Sequence, residues 1–431
     1  MTTIHKPNLG YDILKLYCDW CVRRSYRIAE VRGIENLPED GAVILASNHC
    51  NTLMDALVIL RAHPKLTVFG ARADIFKNPI AAKIVTFLRI LPMVRERDGI
   101  RNVVKNFDTM DQISEILDDG VAFCFFPEGT HRPKHSLLPI KKGLTRMAMV
   151  ADAKIDPSKP LYMVPVGLEY GDYFRFRSTS LVTFGKPVEI REKIRSTENK
   201  DLKFYNECSA IYSESISRLF AYIPDDENYD GVWALTRIMC DVPVLSMPSR
   251  HSDDMKEMIR TIQNLMSDKP SEAAALLEEA RQLDEDRKKA GISMLSLRKG
   301  SLCGRVALKS LLMPLYTLFA AVSAVLAAPT LCLAAFLVKN TKDRAFRNTM
   351  RTVSYILTAP LMAIIWGVVG LVASGWVIAA LLVILSFSAM MMSYDFVGFA
   401  RVYVSDIKLL FQKSILKKVY KIRSDFARLV K

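Results

Sequence analysis

Two stretches hold side chains that can do chemistry together. The first is Ser47-Asn48-His49-Cys50-Asn51-Thr52-Leu53-Met54-Asp55, and the second is Phe126-Pro127-Glu128-Gly129-Thr130. An imidazole whose Nδ1 is held by a carboxylate can take a proton from an alcohol near neutral pH through its other nitrogen. Five residues separate His49 from Asp55. On one continuous helix residues so spaced do not share a face. The pair can therefore meet only if His49 sits in a turn and Asp55 in the first turn of the helix that follows, with Asn51 or Thr52 as N-cap. Around Glu128 the cations Arg132, Lys141, Lys142 and Arg146 fall in one loop region and are suited to holding a phosphate. Glu128 itself is suited to bonding substrate hydroxyls, and Gly129 admits close approach of a ligand to the main chain. Arg95, after a short apolar strand, is a further candidate for the phosphate.

The elements that position these residues are legible around them. Ala42 to Ala46, Thr67 to Gly70, Leu88 to Val94, Val121 to Phe126, Leu161 to Val166 and Leu181 to Phe184 read as short buried strands, with a further strand over Arg27 to Val31. Between them lie helical patterns: Tyr11 to Arg27, the stretch after Asp55 closed by Pro64, Arg101 to Asp119 ended by Gly120, and Leu144 to Ala151. Alternation of this kind predicts an α/β fold, a layered mixed sheet flanked by helices. Ser196 to Ile223 reads as one helix, Asp225 to Asn228 as a break, and Ser271 to Ala290 as a helix rich in Glu, Ala and Leu. The helix at Tyr11 to Arg27 carries Trp20 and Tyr17 on its apolar face, and either packs on the core or lies at a membrane interface.

The last third differs in kind. Leu311 to Val338 is uncharged over 28 residues and Thr352 to Tyr394 over 43. About 20 apolar residues span the hydrocarbon core, so the second run fits two crossings joined near Ser374-Gly375. The first is a single tilted helix or a shallow re-entrant hairpin bent near Pro329. Basic residues flank both runs: Arg305 and Lys309 before, Lys339 to Arg351 between, Lys408 to Arg428 after. The positive-inside rule then favours hairpins with every flank on the cytoplasmic side. The expected division is 1–230 as the chemical domain with its amphipathic helix, 231–305 as a helical insert, and 306–431 as a membrane domain with a basic tail.

The net charge of +14 with half the chain apolar points to lipid headgroups and a phosphorylated substrate and away from nucleic acid, since the cations cluster about apolar spans. The eight cysteines are scattered; Cys18 and Cys21 have no second pair with which to build a zinc site, so no metal is expected. Free thiols fit a reducing compartment. Met1 to Gly10 lacks the apolar core of a secretory signal. Cys50, beside the histidine, is expected to pack and not to act as a nucleophile. No Gly-x-Ser-x-Gly elbow is present to suggest a serine hydrolase.

Four blocks in order resemble the glycerolipid acyltransferase family, which includes glycerol-3-phosphate and 1-acylglycerol-3-phosphate acyltransferases. Asn48-His49 with Asp55 resembles the catalytic block, Leu91-Pro92-Met93-Val94-Arg95 the block whose arginine meets the acceptor phosphate, Phe126 to Thr130 the acceptor-binding block, and Val164-Pro165-Val166-Gly167 the fourth. Most of the family has four residues between histidine and aspartate; the five found here are similar to the fungal type of glycerol-3-phosphate acyltransferase. His131 stands where the family commonly has arginine, and Arg132 follows. The resemblance implies His49 and Asp55 as catalytic, and Arg95, Glu128, Gly129, Thr130, Arg132, Lys141, Lys142 and Pro165 as substrate-binding. It implies direct transfer from acyl-CoA or acyl carrier protein as co-substrate, with no resident cofactor. The partners implied are membrane lipid, the thioester donor and a phosphorylated glycerol acceptor. Dihydroxyacetone phosphate or a lyso-aminolipid are alternative acceptors, and a catalytically silent membrane scaffold is the alternative from another class. The location implied is an integral membrane protein with its catalytic domain on the cytoplasmic face, at the inner membrane in a bacterium.

Overall fold

The computed structural model describes residues 4–93, 105–241 and 247–430. The chain divides into two compact units: Met1–Arg23, Ala29–Tyr173 and Thr179–Phe220 make the first, and Arg24–Ile28, Phe174–Ser178 and Ala221–Lys431 the second.

The first unit opens with α1 (Leu9–Ser25) and β1 (Tyr26–Arg32), then β2 (Ala42–Ser47), α2 (Leu53–Ala62), β3 (Thr67–Arg72), α3 (Pro79–Phe87), β4 (Ile90–Met93) and α4 (Lys105–Asp118). It continues through β5 (Ala122–Phe125), α5 (Gly143–Lys154), β6 (Leu161–Tyr170), β7 (Ser178–Phe184), β8 (Val188–Glu189), α6 (Arg191–Ser196) and α7 (Leu202–Ser217). The eight strands form one sheet in the order β1-β7-β6-β2-β5-β3-β4, with β8 also on β6. Strands β6, β2, β5, β3 and β4 run parallel, while β7 and β8 pair antiparallel to β6. The mixed layered sheet expected from the alternation is therefore present. The central strands are buried on both faces, which is why Ala42 to Ala46 and Ala122 to Phe125 read as unbroken apolar runs.

Two parts of this unit depart from expectation. The stretch from Ser196 to Ile223 is not one helix: α6 ends at Ser196, and α7 starts anew where the Asp201 carboxylate accepts from the main-chain N–H of Phe204. Helix α3 was not anticipated; Ile80, Ile84 and Phe87 form an exposed apolar stripe on it. Helix α1 packs one face on the core and exposes another. Tyr11, Cys21 and Val22 are buried, whereas Leu9, Ile13, Leu16 and Trp20 stand exposed at helical spacing, Leu16 at 72 %. The expected helix from Arg101 is described only from Lys105, and Val94 and Arg95 lie outside the described residues.

The second unit is helical: α8 (Tyr229–Met239), α9 (Pro248–Asp268), α10 (Pro270–Lys289), α11 (Leu302–Leu326), α12 (Ala328–Asn340), α13 (Phe346–Ser374), α14 (Trp376–Phe411) and α15 (Lys413–Val430). Helices α8, α9, α10 and α15 enclose a core of Leu235, Ile262, Leu277, Leu283 and Ile422, joined by Leu409 at the end of α14. Among the described residues three helices, α11, α13 and α14, are long and apolar enough to cross a membrane. Their outward faces expose Leu, Ile, Val and Phe throughout.

Contacts within this unit set the courses of these helices. The Ser310 and Tyr403 hydroxyls are 2.8 Å apart, and Ser323 Oγ donates to Met392 Sδ, so α11 and α14 run antiparallel. Tyr355 donates to the Phe387 carbonyl, and a Cβ on Gly370 would fall 2.5 Å from the Ala379 Cα, so α13 and α14 form a close hairpin about Gly375. The break at Ala327 sends α12 back beside α13. There Thr330 meets Thr358 at 2.7 Å, and Trp366 Nε1 donates to the Leu326 carbonyl. The α11–α12 tip thus lies level with Thr358 to Trp366, well short of Ser374. The first apolar run is thus two helices, α11 and α12, that fold back on each other at Ala327.

Candidate active site

Strands β2 and β5 are parallel neighbours, with Ala46 opposite Phe125. Their carboxyl ends therefore open on the same side of the sheet, and the loops that follow must meet there. Asn48 fixes the start of the first loop. Its side-chain Nδ2 donates to the Leu168 carbonyl at 3.0 Å, and its Oδ1 accepts from the Leu168 N–H at 2.7 Å. A side chain thus continues the β2–β6 ladder past the last paired residue of β2.

The turn after it brings His49 back onto α2. His49 Nδ1 lies 2.8 Å from Asp55 Oδ2. That same oxygen accepts from the N–H groups of Cys50 at 2.8 Å and Asn51 at 2.7 Å, and Oδ1 accepts from the Tyr170 hydroxyl at 2.8 Å. An oxygen surrounded by donors requires a donor from the ring, so the proton of a neutral His49 sits on Nδ1 and leaves Nε2 as an acceptor. Asp55 is completely buried, and no cation touches it among the contacts described. Thr52 is the N-cap of α2 but gives no side-chain cap; Asp55, in the first turn, reaches back instead. Thr52 has φ 51°, a conformation that costs a β-branched residue energy. The turn holding the fifth intervening residue closes through this torsion.

The second loop wraps the first. Glu128 Oε1 accepts from the His49 N–H at 2.7 Å and Oε2 from the Leu138 N–H at 2.8 Å, while the His49 carbonyl accepts from the Arg132 N–H at 2.9 Å. Glu128 is 2 % exposed, and burial raises its carboxyl to about 7 against the pull of those two donors. Phe126 stacks on the His49 ring with centroids 4.3 Å apart, and His131 meets it edge-on at 5.6 Å. Gly129, at φ 69°, takes a left-handed turn that leaves it and Thr130 exposed beside the stem of Lys141.

The cations of the loop are not gathered at one point. Arg132 donates to Ser136 Oγ at 2.7 Å. Lys142 and Arg146 both lie over the Tyr205 ring on α7, at 5.8 and 5.9 Å. Lys141 is exposed. Pro165 is buried within β6, between the residues paired to β8 and those paired to β7. Its carbonyl accepts from Gly185, so its missing N–H faces a gap in the ladder and leaves no broken bond. It packs within the sheet. Burial keeps the Cys50 thiol protonated, with the Asp55 charge adding to the effect, which suits packing.

Tyr170 and the double bond from Asn48 to Leu168 were not anticipated. Both partners lie about 120 residues away along the chain, and only the β2–β6 pairing brings them near.

A buried carboxylate holds a partly buried imidazole at the carboxyl edge of a mixed α/β sheet. Comparison with known proteins agrees with the family expected from the four blocks: residues 28–169 match the Acyltransferase family. Glycerol-3-phosphate O-acyltransferase 2 of Saccharomyces cerevisiae is 34 % identical over 90 residues, 21 % of this chain and 12 % of that one. The chloroplastic 1-acyl-sn-glycerol-3-phosphate acyltransferase BAT2 of Brassica napus is 25 % identical over 154 residues, 36 % of this chain and 42 % of its own. The crystal structure of the 1-acyl-sn-glycerophosphate (LPA) acyltransferase PlsC from Thermotoga maritima matches 47 % of this chain and 78 % of its own at 20 % identity, with a TM-score of 0.34. The chain thus spans less than half the length of the curated relatives named here.

Proposed function

We propose that this protein is a membrane-integrated O-acyltransferase that moves a fatty acyl chain from a thioester to a hydroxyl of glycerol-3-phosphate or 1-acylglycerol-3-phosphate. The observation that carries the reading is the 2.8 Å approach of His49 Nδ1 to a carboxylate already held by three other donors. His49 Nε2 takes the proton of the acceptor hydroxyl as its oxygen attacks the thioester carbonyl. The C–S bond then breaks, and the thiolate of coenzyme A or acyl carrier protein recovers that proton from the imidazolium. Asp55 orients the ring and stabilises its charged form. Main-chain N–H groups at the site stabilise the tetrahedral oxyanion.

Glu128 serves in this reading as a positioning residue that ties the His49 main chain to the second loop. The exposed turn at Gly129 and Thr130 faces the acceptor, and Arg132, Lys141, Lys142 and Arg95 supply the phosphate-binding charge. The buried thiol of Cys50 supports direct transfer over an acyl-enzyme. The exposed stripes of α1 and α3, close enough for Tyr11 and Phe87 to meet edge-on at 6.3 Å, suit contact with a bilayer surface. In this reading the basic flanks, by the positive-inside rule, lie on the cytoplasmic side.

The deciding experiment supplies labelled acyl-CoA and acyl carrier protein to the purified protein with glycerol-3-phosphate, 1-acylglycerol-3-phosphate, dihydroxyacetone phosphate and a lyso-aminolipid in parallel. Transfer to either of the first two supports the proposal. Transfer to the third or fourth alone reassigns the acceptor. No transfer to any leaves the scaffold as the better account.

A further inference from the structure

The second unit carries a group of arginines that catalysis does not use. The segment Arg24–Ile28, the segment Phe174–Ser178, the start of α13 and the middle of α14 converge there. Asp395 is its centre. Arg177 reaches Asp395 Oδ2 with Nε at 3.0 Å and Nη2 at 2.8 Å, while its Nη1 donates to the Arg24 and Tyr26 carbonyls. That guanidinium is engaged on every side and holds the carboxylate in place. Arg27 shares the carboxylate, 3.1 Å from Oδ1, and remains exposed. Arg351 donates to the Phe174 carbonyl at 2.7 Å and lies over the Tyr394 ring at 5.7 Å. Arg344, also exposed, stacks on the Phe174 ring at 4.9 Å.

Two arguments lead from this group to a ligand. The first is charge. Arg27, Arg177, Arg344 and Arg351 gather here with two aspartates, Asp395 and the Asp343 that caps the Ala345 N–H. The first turn of α13 holds Arg347 and no acid. Cations at a helix N-terminus oppose its dipole, so the arrangement favours an added anion. The second argument is depth. At 1.5 Å per residue, Asp395 lies roughly 30 Å along α14 from the Gly375 turn, and Arg351 roughly 36 Å from it along α13. The hydrocarbon core is about 30 Å thick. With the Gly375 turn at one boundary, where Trp376 is 76 % exposed, the arginines stand at the other, at the level of lipid phosphates.

We infer that Arg27, Arg344 and Arg351, arranged about Asp395, Tyr394 and Phe174, form a binding site for the headgroup phosphate of an anionic membrane lipid. Arg177 and Asp395 are its fixed floor; the exposed guanidiniums are its donors. The site does not depend on acyl transfer, and its test stands whether or not the catalytic reading does.

The experiment is native mass spectrometry of the full chain in detergent, titrated with phosphatidylglycerol or phosphatidylcholine. The expected result is one retained phosphatidylglycerol per chain, bound at least about 5-fold more tightly than phosphatidylcholine. Arg344→Gln is expected to weaken retention about 3-fold, and Arg344→Gln with Arg351→Gln about 10-fold or more. Lys413→Gln with Lys417→Gln, on exposed positions of α15, is expected to leave it unchanged. If the double variant does not fold, Arg344→Gln carries the test alone, since Arg344 is exposed and lies outside the Asp395 ion pair. Equal retention of the two lipids, or retention unaltered by Arg344→Gln, would overturn the inference. Full displacement by inorganic phosphate at millimolar concentration would also overturn it, assigning the charge to a soluble anion.

Discussion

Asp55 and Asp406 are both buried aspartates, and they are satisfied in opposite ways. Asp55, in the first unit, is held by two main-chain N–H groups, a tyrosine hydroxyl and one imidazole nitrogen. Asp406, on α14 in the second, is 1 % exposed and meets Lys309 Nζ at 2.6 Å. The first arrangement satisfies the carboxylate with dipoles and one ring nitrogen. The second neutralises the charge permanently. A site that must stabilise a cation only while it exists requires the first arrangement; a helix pair that must stay closed requires the second.

Asp55→Asn breaks the first arrangement most directly. It is expected to lower kcat for acyl transfer about 1,000-fold, because the amide no longer favours the reactive tautomer or the imidazolium; steady-state kinetics with labelled acyl-CoA measures it. Lys309→Met breaks the second. It leaves Asp406 facing Arg305 at 4.0 Å in place of the 2.6 Å contact, and is expected to cost about 3 kcal/mol in detergent unfolding, largely regained in Lys309→Met with Asp406→Leu. The contrast sharpens with His49→Ala: Asp55 keeps its other three donors, so stability is expected to fall by only about 1 kcal/mol.

Tyr170→Phe removes one donor from Asp55. The expected effect is about 10-fold on kcat with KM unchanged. Accompanying it, the ring 15N signals of His49 should show less proton density on Nδ1, a change that simple loosening of the sheet would not produce.

Glu128 separates activity from stability by pH. Its carboxyl, raised to about 7 by burial, gains a proton as pH falls through that value, and the protonated oxygen becomes a donor that accepts only weakly from the main chain. Activity is therefore expected to decline below about pH 7. The stability contribution runs the other way: it is fully present below the ordinary carboxylate range and lost as pH rises through about 7. Both trends should flatten in Glu128→Gln, measured by pH–rate profiles and by thermal unfolding at pH 5 and 8. The smallest expected effect is that of Thr52→Gly, which relieves the positive φ and should raise stability by roughly 1 kcal/mol.

What could be read from the residues alone follows from which forces are local. The strands β2 and β5 were legible because both faces are buried, and so was the helical start that places Asp55 in a first turn. The break between α6 and α7 was not, because the polar stretch from Arg195 to Asp201 holds no Gly or Pro to mark a loop and only the Asp201 cap shows where α7 begins. Glu128 could be named but not its partners: an acid beside a glycine looks the same whether its oxygens meet substrate or the main chain. Tyr170 gave no local signal, since its tie to Asp55 depends on the register of β6 against β2. Pro165 stood in a recognisable block, yet its burial follows from sheet order, which the block does not state. In the apolar third, charge-free length was plain, but the turn at Ala327 rests on pairings such as Thr330 with Thr358 that are set by packing.

The most direct test of the central claim compares purified wild type with His49→Ala in a single-turnover assay of acyl-CoA and glycerol-3-phosphate or its 1-acyl derivative, with folding of both checked by thermal unfolding. The account expects the variant to be folded and at least about 1,000-fold slower in forming the ester. A folded His49→Ala protein that transfers acyl groups at the wild-type rate would contradict it.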